Sequence, residues 1–185
     1  MASFIKSAFK ESDWILDNIP EFCFLGRSNV GKSTLINALA NKKIALTSKT
    51  PGRTQLINFY DFDRYRLVDL PGYGFANLGK EKKNTISTMI DDYLLKRKNI
   101  RCFFLVCDFN VVTDLDKEMV EWLAKNTKFF FIILNKIDKI SNNTLKNHFE
   151  KIKNFLKVDE NNIILISAKK MLNINSIKKI INSFL

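Results

Sequence analysis

One stretch of the chain decides its fold: residues 22–39, which read FCFLGRSNVGKSTLINAL. Its first four residues form a continuous apolar run, which is typical of a strand buried on both faces. Residues 26–33, GRSNVGKS, then match every fixed position of the phosphate-loop pattern G-x-x-x-x-G-K-[ST]. Leu35, Ile36 and Leu39 follow at the spacing of one helix face. The sequence therefore predicts a strand, a phosphate-binding loop and a helix in direct succession.

The residue types in this loop explain how it holds a phosphate group. Its glycines allow successive backbone N–H groups to turn inward, and the first turn of the helix adds the positive end of its dipole. We expect Lys32 to reach the β- and γ-phosphates of a nucleotide and the Ser33 hydroxyl to ligate Mg²⁺. The alternative is a glycine-rich turn that matches by chance, and the strand before the loop and the helix after it disfavour that alternative.

The composition indicates one globular domain. The chain has 185 residues, of which 46% are hydrophobic and 26% are charged, and this is enough for a single core. No apolar run reaches the roughly 18 residues of a membrane-spanning helix, and the first residues lack a signal-peptide pattern. We therefore expect a cytoplasmic protein without a membrane span. Cys23, Cys102 and Cys107 lie in apolar runs without metal-site spacing, and we expect them to be reduced and buried.

The net charge favours a polyanionic partner. The chain carries 30 Lys and Arg residues against 19 Asp and Glu residues, which gives a net charge of +11. Such an excess favours RNA, DNA or a membrane surface as partner; the alternative is a composition biased towards Lys, Asn and Ile. Many basic residues lie in the two least regular segments, 41–53 and 71–83, and in a cluster at 96–101. They are Lys42, Lys43, Lys49, Lys80, Lys82, Lys83, Lys96, Arg97, Lys98 and Arg101.

The order of apolar segments predicts an α/β fold. Continuous apolar runs, which indicate parallel strands covered on both faces, alternate with helical patterns. Two extended stretches within 56–68 meet at a polar turn, which predicts a hairpin. We therefore expect a three-layer α/β/α sandwich with a mostly parallel sheet and one antiparallel strand. The apolar runs are 22–25, 102–107, 129–134 and 163–166, and the helical patterns are 86–94, 115–123, 145–156 and 174–184.

A second motif, Asn135-Lys136-Ile137-Asp138, directly follows the third apolar run. A carboxylate at the end of a strand can accept hydrogen bonds from the N1–H and the amino group of guanine, whereas adenine has no matching pair of donors. An unpaired buried carboxylate is costly, so Asp138 is expected to favour guanine by up to ~10⁴-fold. The alternative is that Asp138 caps a helix that begins near Asn142.

Asp69-Leu70-Pro71-Gly72 follows the hairpin and has the residue types of a switch segment. The carboxylate of Asp69 can hold Mg²⁺ through water, and the N–H of Gly72 can sense a γ-phosphate. The alternative is a simple turn, because Asp, Pro and Gly are common turn residues.

Two further segments complete the candidate site. Residues 50–54, TPGRT, offer a threonine to complete Mg²⁺ coordination, and we favour Thr54 at the start of the next strand over Thr50. Residues 167–169, SAK, follow the last apolar run, and their backbone N–H groups can support a guanine base.

Together, GRSNVGKS, TPGRTQLINFY and DLPGYG resemble the EngB (YihA/YsxC) family of bacterial ribosome-biogenesis GTPases. The resemblance covers residues 21–185 and leaves residues 1–20 as an N-terminal extension packed on the domain. It implies a Ras-like P-loop GTPase fold, GTP or GDP bound with Mg²⁺, and a role in assembling the large ribosomal subunit, and so in growth, division and septation. The residues it implies for the nucleotide are Gly26, Arg27, Ser28, Asn29, Val30, Gly31, Lys32, Ser33, Gly52, Arg53, Thr54, Gln55, Leu56, Asp69, Leu70, Pro71, Gly72, Asn135, Lys136, Ile137, Asp138, Ile166, Ser167 and Ala168.

Within this resemblance, Ser33 and Thr54 are the expected metal ligands, and Lys32, Thr54 and Gly72 are the expected catalytic residues. Tyr73 stands where Ras-type enzymes carry the glutamine that orients water, so we expect slow intrinsic hydrolysis. Related GTPases with an asparagine at the position of Asn29 use K⁺, which suggests a potassium site here. Arg53 is a competing cation in cis, but we expect it to be a solvated loop residue. We expect the sole histidine, His148, to be a surface residue.

The expected switch is the γ-phosphate. GTP draws in Thr54 and Gly72, which reshapes residues 41–54 and 71–83 and orders a basic surface that docks on ribosomal RNA or on a precursor of the large subunit. We expect the protein to be a monomer. Two alternatives remain at this point: an RNA-binding structural module with a vestigial nucleotide site, and a P-loop ATPase or kinase, against which Asp138 argues.

Overall fold

The computed structural model describes residues 1–46, 56–73 and 80–185. In these parts the chain forms seven strands and five α-helices, together with three short 3₁₀ turns at Glu11–Asp13, Ile137–Lys139 and Glu160–Asn162. The strands are β1 (Ser3–Ala8), β2 (Glu21–Leu25), β3 (Ile57–Asp61), β4 (Arg66–Asp69), β5 (Ile100–Asp108), β6 (Phe130–Asn135) and β7 (Ile163–Leu165). The helices are α1 (Lys32–Ala40), α2 (Lys80–Lys96), α3 (Asp114–Asn126), α4 (Asn142–Leu156) and α5 (Ile174–Ser183).

The strands form one sheet in the order β1-β3-β4-β2-β5-β6-β7. Strands β4, β2, β5, β6 and β7 pair in parallel, whereas β3 pairs antiparallel with both β1 and β4. The predicted mostly parallel sheet with one antiparallel strand is therefore confirmed. The predicted hairpin is also present, because the N–H of Phe62 donates to the carbonyl of Tyr65 at 2.9 Å and closes the turn between β3 and β4.

Helices cover both faces of the sheet, which explains the continuous apolar runs. On one face Phe22 and Phe24 pack with residues of α1 and α5. On the other face Cys23 and Leu25 pack with residues of α2, α3 and α4. Each such large side chain removed from water contributes about 1.5–3 kcal/mol, so successive residues of β2 stabilise both layers. The three cysteines are free and buried, as the sequence predicts.

The structure differs from the sequence-based expectation at α2. Segment 71–83 reads as irregular, but α2 already begins at Lys80. The first helical residues, KEKKN, carry no apolar stripe that periodicity could detect, although Lys and Glu are good helix formers. Residues 74–79 lie outside the described part of the chain.

The first twenty residues are attached to the domain. Strand β1 pairs with β3, and the side chain of Asn99 donates to the carbonyls of Asp17 and Ile19 at 2.7 and 3.1 Å. The guanidinium of Arg66 also pairs with the carboxylate of Asp17 at 2.5 Å. These contacts fix the segment that joins β1 to β2.

None of the helices in the described part of the chain is long and apolar enough to cross a lipid bilayer.

Candidate nucleotide-binding site

The predicted phosphate loop connects the end of β2 to the start of α1. It requires glycine at two positions, because Gly26 has φ +148° and Gly31 has φ +102°, a region that other residues rarely adopt. A Cβ on Gly26 would lie 2.3 Å from the carbonyl oxygen of Val106, and one on Gly31 would lie 2.4 Å from the Nδ2 of Asn135. The fixed glycines of the pattern therefore serve both backbone conformation and close packing.

Lys32 lies inside this loop. Its side chain is buried, and its Nζ donates to the carbonyl of Gly26 at 3.0 Å. Burial lowers the pKa of Lys32, and the charge of Asp69 partly opposes this shift. An ammonium group has three donors, so the bond to Gly26 leaves two that can bind phosphate oxygens.

Ser33 and Asp69 bring two oxygens of metal-ligand type together. The hydroxyl of Ser33 donates to Oδ2 of Asp69 at 3.3 Å, and Oδ1 of Asp69 is buried without a hydrogen-bond partner among the described residues. The pKa of Asp69 is raised because the carboxylate is buried, and the charge of Lys32 and the hydrogen bond from Ser33 only partly oppose this shift. A hydroxyl and an unpartnered carboxylate oxygen fit Mg²⁺, which takes few protein ligands and completes its octahedron with water and phosphate. No cluster of three His, Cys, Asp or Glu side chains suited to a metal occurs in the described residues.

Asn135, at the end of β6, connects three of the predicted motifs. Its Nδ2 donates to the carbonyl of Val30 in the phosphate loop at 2.9 Å. Its Oδ1 accepts from the N–H groups of Lys136 at 2.8 Å and Ala168 at 3.0 Å. The asparagine therefore holds the phosphate loop, its own motif and the segment after β7 in one arrangement.

Lys136 lies across the phosphate loop. Its Nζ donates to the carbonyl of Asn29 at 2.6 Å and to Oδ2 of Asp108 at 2.7 Å. Although burial of Asp108 raises its pKa, hydrogen bonds from Lys136 and Asn110 outweigh that effect and leave the pKa lowered. The sequence argument did not single out Asp108 or Asn110; the signal that could have found Asp108 is that it directly follows the second apolar run, 102–107, at the end of β5.

Asp138 lies at the surface in the 3₁₀ turn after β6, rather than buried as the sequence argument assumed. Its Oδ1 accepts from the buried Ser167 hydroxyl at 2.5 Å, which orients the carboxylate. The alternative helix-cap role is wrong, because Ser141 is the N-cap of α4.

The backbone N–H groups of the segment after β7 already donate to acceptors within the protein. The N–H of Ser167 donates to the carbonyl of Leu172 at 3.2 Å, and that of Ala168 donates to Asn135. The N–H of Ile166 donates to the carbonyl of Leu134 at 3.0 Å, and the N–H of Ile137 donates to the carbonyl of Ile166 at 3.2 Å. Guanine contacts from these groups stay a prediction.

The switch segment after β4 packs on the phosphate loop. Leu70 is buried, and its N–H donates to the carbonyl of Phe24 at 3.1 Å. Pro71 and Gly72 are also buried. A Cβ on Gly72 would lie 2.9 Å from the backbone nitrogen of Ser28. Glycine therefore allows this segment to approach the phosphate loop closely.

The side chain of Arg27 points away from the phosphate loop and towards α3. Its Nε donates to Oδ2 of Asp116 at 3.0 Å, and its terminal nitrogen donates to the carbonyl of Val111. The guanidinium therefore faces α3, so its binding to the nucleotide can involve the backbone of Arg27 but not this paired side chain.

Several predicted site residues lie outside the described part of the chain. They are Thr50, Gly52, Arg53, Thr54 and Gln55, with Lys49 of the predicted basic surface. The side chains of Lys80, Lys82 and Lys83 are also outside it. Leu56 is the first described residue after this gap and is exposed.

The structure corrects one assignment to the basic surface. Arg97 was expected in a basic cluster for RNA, but its side chain is buried and pairs with Glu21 at 2.5 Å, because the negative charge of Glu21 lies inside the fold. Lys96 is exposed but pairs with Asp92 at 2.8 Å. His148 is half-buried on α4, and its Nε2 lies 2.7 Å from the carbonyl of Phe109.

Other basic side chains of the predicted surface are exposed. They are Lys42, Lys43, Lys98 and Arg101.

Comparison with known proteins identifies the family. A family model described as "50S ribosome-binding GTPase" matches residues 21–136, which is more than half of the chain and contains the phosphate loop, residues 50–54 and residues 69–72 in full. A solved structure described as a "probable GTP-binding protein engB" has a TM-score of 0.75 and 30% identity, and covers 89% of this chain and 97% of its own. A structure of Era in complex with MgGDPNP and nucleotides 1506–1542 of 16S ribosomal RNA has a TM-score of 0.72 at 21% identity, covers 91% of this chain and 57% of its own, and shows a shared fold.

Sequence relatives match over nearly the whole chain. A "probable GTP-binding protein EngB" from Malacoplasma penetrans is 54% identical over 183 residues, which is 99% of this chain and 98% of the relative. A protein of the same description from Mycoplasmoides gallisepticum is 51% identical over 177 residues, 96% of this chain and 95% of the relative. The chain therefore belongs to the EngB family of GTP-binding proteins, with a domain of the 50S ribosome-binding GTPase type.

Proposed function

We propose that this protein binds GTP with Mg²⁺, hydrolyses it slowly and acts, as a cytoplasmic monomer, as a nucleotide-controlled switch in assembly of the large ribosomal subunit. The observation that carries the proposal is the arrangement of Lys32, Ser33 and Asp69 at one end of the phosphate loop. A buried ammonium group, a hydroxyl and an unpartnered carboxylate oxygen lie together there. This combination suits a triphosphate bound with a divalent cation.

Different residues of the chain bind the phosphates and the base of the nucleotide. The N–H groups of loop 26–33 and Lys32 bind the phosphates, since they lie at the positive end of α1. Asp138, oriented by Ser167, accepts from the guanine base. Asn135 fixes the phosphate end of the site relative to the base end, because it forms hydrogen bonds with the phosphate loop and with Ala168.

Ser33 and Asp69 are the described residues that would hold Mg²⁺, directly or through water, and Thr54 is a further proposed ligand. When bound, the metal neutralises charge on the phosphates. Lys32 adds a fixed positive charge in a buried position, where electrostatic interactions are strong. The chain therefore supports hydrolysis chiefly by binding and charge stabilisation.

Slow intrinsic hydrolysis follows from the residue after Gly72. This residue is Tyr73, and its hydroxyl donates to Asp116 at 3.0 Å. Burial raises the pKa of the Tyr73 phenol, and Cys107 and Asp116 raise it further. Such a phenol is a poor general base, so a faster rate requires help from outside these side chains.

Potassium is one proposed source of that help. Asn29 has a left-handed backbone conformation with φ +66°, and its carbonyl is fixed by Lys136. If its side chain ligates K⁺ beside the phosphates, hydrolysis is expected to be severalfold faster in potassium chloride than in sodium chloride. Steady-state phosphate release in the two salts measures this effect. Asn29→Gly, which tolerates the same backbone conformation, is expected to abolish the difference; equal rates for the unchanged protein would contradict the potassium site.

Docking on ribosomal RNA is the second part of the proposal. The net charge of +11 and the exposed lysines at 42 and 43, which lie at the start of the predicted switch region 41–54, support it. Co-sedimentation with ribosomal subunits at low salt is expected to show binding to the large subunit with a non-hydrolysable GTP analogue and weaker binding with GDP. The double change Lys42→Glu and Lys43→Glu is expected to reduce binding more than the same change at Lys146 and Lys179, which are exposed on α4 and α5.

Two outcomes count against this role. GTP-bound protein that ignores the large subunit at low salt contradicts docking. Calorimetry that detects no guanine nucleotide binding favours the alternative of an RNA-binding module with a vestigial site.

A further inference from the structure

Asp116, the third residue of α3, is a buried carboxylate that accepts hydrogen bonds from three different segments. Its side chain has no exposed surface. The Nε of Arg27 lies 3.0 and 3.2 Å from its two oxygens, and the hydroxyl of Tyr73 lies 3.0 Å from Oδ1. The backbone N–H and the hydroxyl of Thr113 lie 3.0 and 3.1 Å from Oδ2. We call Arg27, Tyr73, Thr113 and Asp116 the Asp116 cluster.

Two members of the Asp116 cluster belong to nucleotide motifs. Arg27 is the second residue of the phosphate loop, and Tyr73 directly follows Gly72. The backbones of Arg27 and Tyr73 also pair in an isolated parallel bridge, and Gly72 packs on the backbone of Arg27 and Ser28. One carboxylate therefore holds together the loop that binds phosphates and the segment that is expected to sense the γ-phosphate.

Charge and burial make this arrangement strong. A hydrogen bond to a charged group contributes more than one between neutral groups, and the burial of Asp116 removes competition from water. Thr113 belongs to the N-terminal cap of α3 and bonds to the same carboxylate, but it lies in no nucleotide motif. The cluster therefore contains one hydroxyl linked to the switch segment and one that is not.

We propose that Tyr73 is a positioning residue for GTP: its hydroxyl, bound to Asp116, holds the N–H of Gly72 against the phosphate loop and so favours GTP over GDP. This inference rests on the proposed function, since it requires that Gly72 contacts the γ-phosphate. GDP lacks that phosphate. Its base and remaining phosphates are bound by Asp138, Lys32 and loop 26–33, so only the triphosphate gains from the fixed position of Gly72.

The test compares two variants, each of which lacks one of the hydroxyl groups that donate to Asp116. Tyr73→Phe removes the hydroxyl of the switch segment, and Thr113→Val removes that of the helix cap. Affinities for GDP and for a non-hydrolysable GTP analogue are measured with Mg²⁺ by calorimetry. Tyr73→Phe is expected to lower the affinity for the GTP analogue roughly fivefold to tenfold and to change the affinity for GDP little. Thr113→Val is expected to lower stability but to leave the ratio of the two affinities within about twofold of that of the unchanged protein.

A second variant guards against a purely structural effect. Asp116→Asn weakens the same bond from the acceptor side and is expected to shift the affinity ratio in the same direction, whatever its effect on stability. An unchanged ratio in Tyr73→Phe and Asp116→Asn overturns the inference, as does an equal shift in Thr113→Val. If the unchanged protein binds neither nucleotide, the proposed function fails as well; if it binds both and the ratio does not respond, only this inference fails.

Discussion

Asp138→Asn is expected to lower the affinity for GTP by about 10³- to 10⁴-fold and to create affinity for xanthosine triphosphate. Asp138 lies at the edge of the site and its Oδ1 accepts from Ser167, so the carboxylate is oriented before the base arrives. An amide presents an N–H where the guanine amino group needs an acceptor, which leaves polar groups unpaired. Xanthine carries a carbonyl at that position and can accept from the amide. Calorimetric titration with both nucleotides measures the exchange.

A matched control for this change is Asp159→Asn. Asp159 is an exposed aspartate that caps a 3₁₀ turn before β7, and its change alters the net charge by the same amount. It is expected to leave GTP binding within about twofold of that of the unchanged protein. A preference for GTP retained by Asp138→Asn contradicts the assignment of Asp138 to the base.

Glu21→Ala is expected to lower the free energy of unfolding by about 3–5 kcal/mol. Glu21 is fully buried at the start of β2 and accepts from the hydroxyl of Tyr93 at 2.6 Å and from Arg97 at 2.5 and 2.9 Å. A nitrogen of the buried Arg66 lies 3.9 Å away. Removal of the carboxylate leaves these cations without their main counter-charge, which is the costly way to break a buried ion pair. Urea unfolding followed by circular dichroism measures the loss.

Glu11→Ala is the corresponding surface control. The Glu11 carboxylate is 63% exposed and lies 3.7 Å from the Nζ of Lys96. Exposed pairs of this kind contribute little, so this change is expected to alter the free energy of unfolding by less than about 0.5 kcal/mol. A loss below about 1 kcal/mol for Glu21→Ala would show that the buried pair is not needed for stability.

Local patterns predicted the fold well. The apolar runs gave the positions of β2, β5, β6 and β7 to within one or two residues, because strands covered on both faces have no polar side to confuse the pattern. The hairpin of β3 and β4 and the glycines of the phosphate loop were also readable, since turns and close backbone approach depend on a few neighbouring residues.

Contacts between charged residues far apart in sequence were not predictable. From the sequence, Arg97 is expected to be a solvated surface cation, yet it binds Glu21, which is 76 residues away. Asp116 looks like an ordinary acidic residue in the first turn of a helix, and only the fold brings Arg27 and Tyr73 to it. For such residues the side-chain type is compatible with either surface or interior, and the tertiary structure decides.

The ion pair at Glu21 has a mechanical consequence for α2. Tyr93 lies in the last turn of α2 and Arg97 directly follows the helix. Both bind the first residue of β2, at the end of that strand opposite to the phosphate loop. The start of α2, at Lys80, follows the switch segment in the sequence. A shift of α2 along its axis would therefore break a buried ion pair, so the last turn of the helix is the part that a change at its start displaces least.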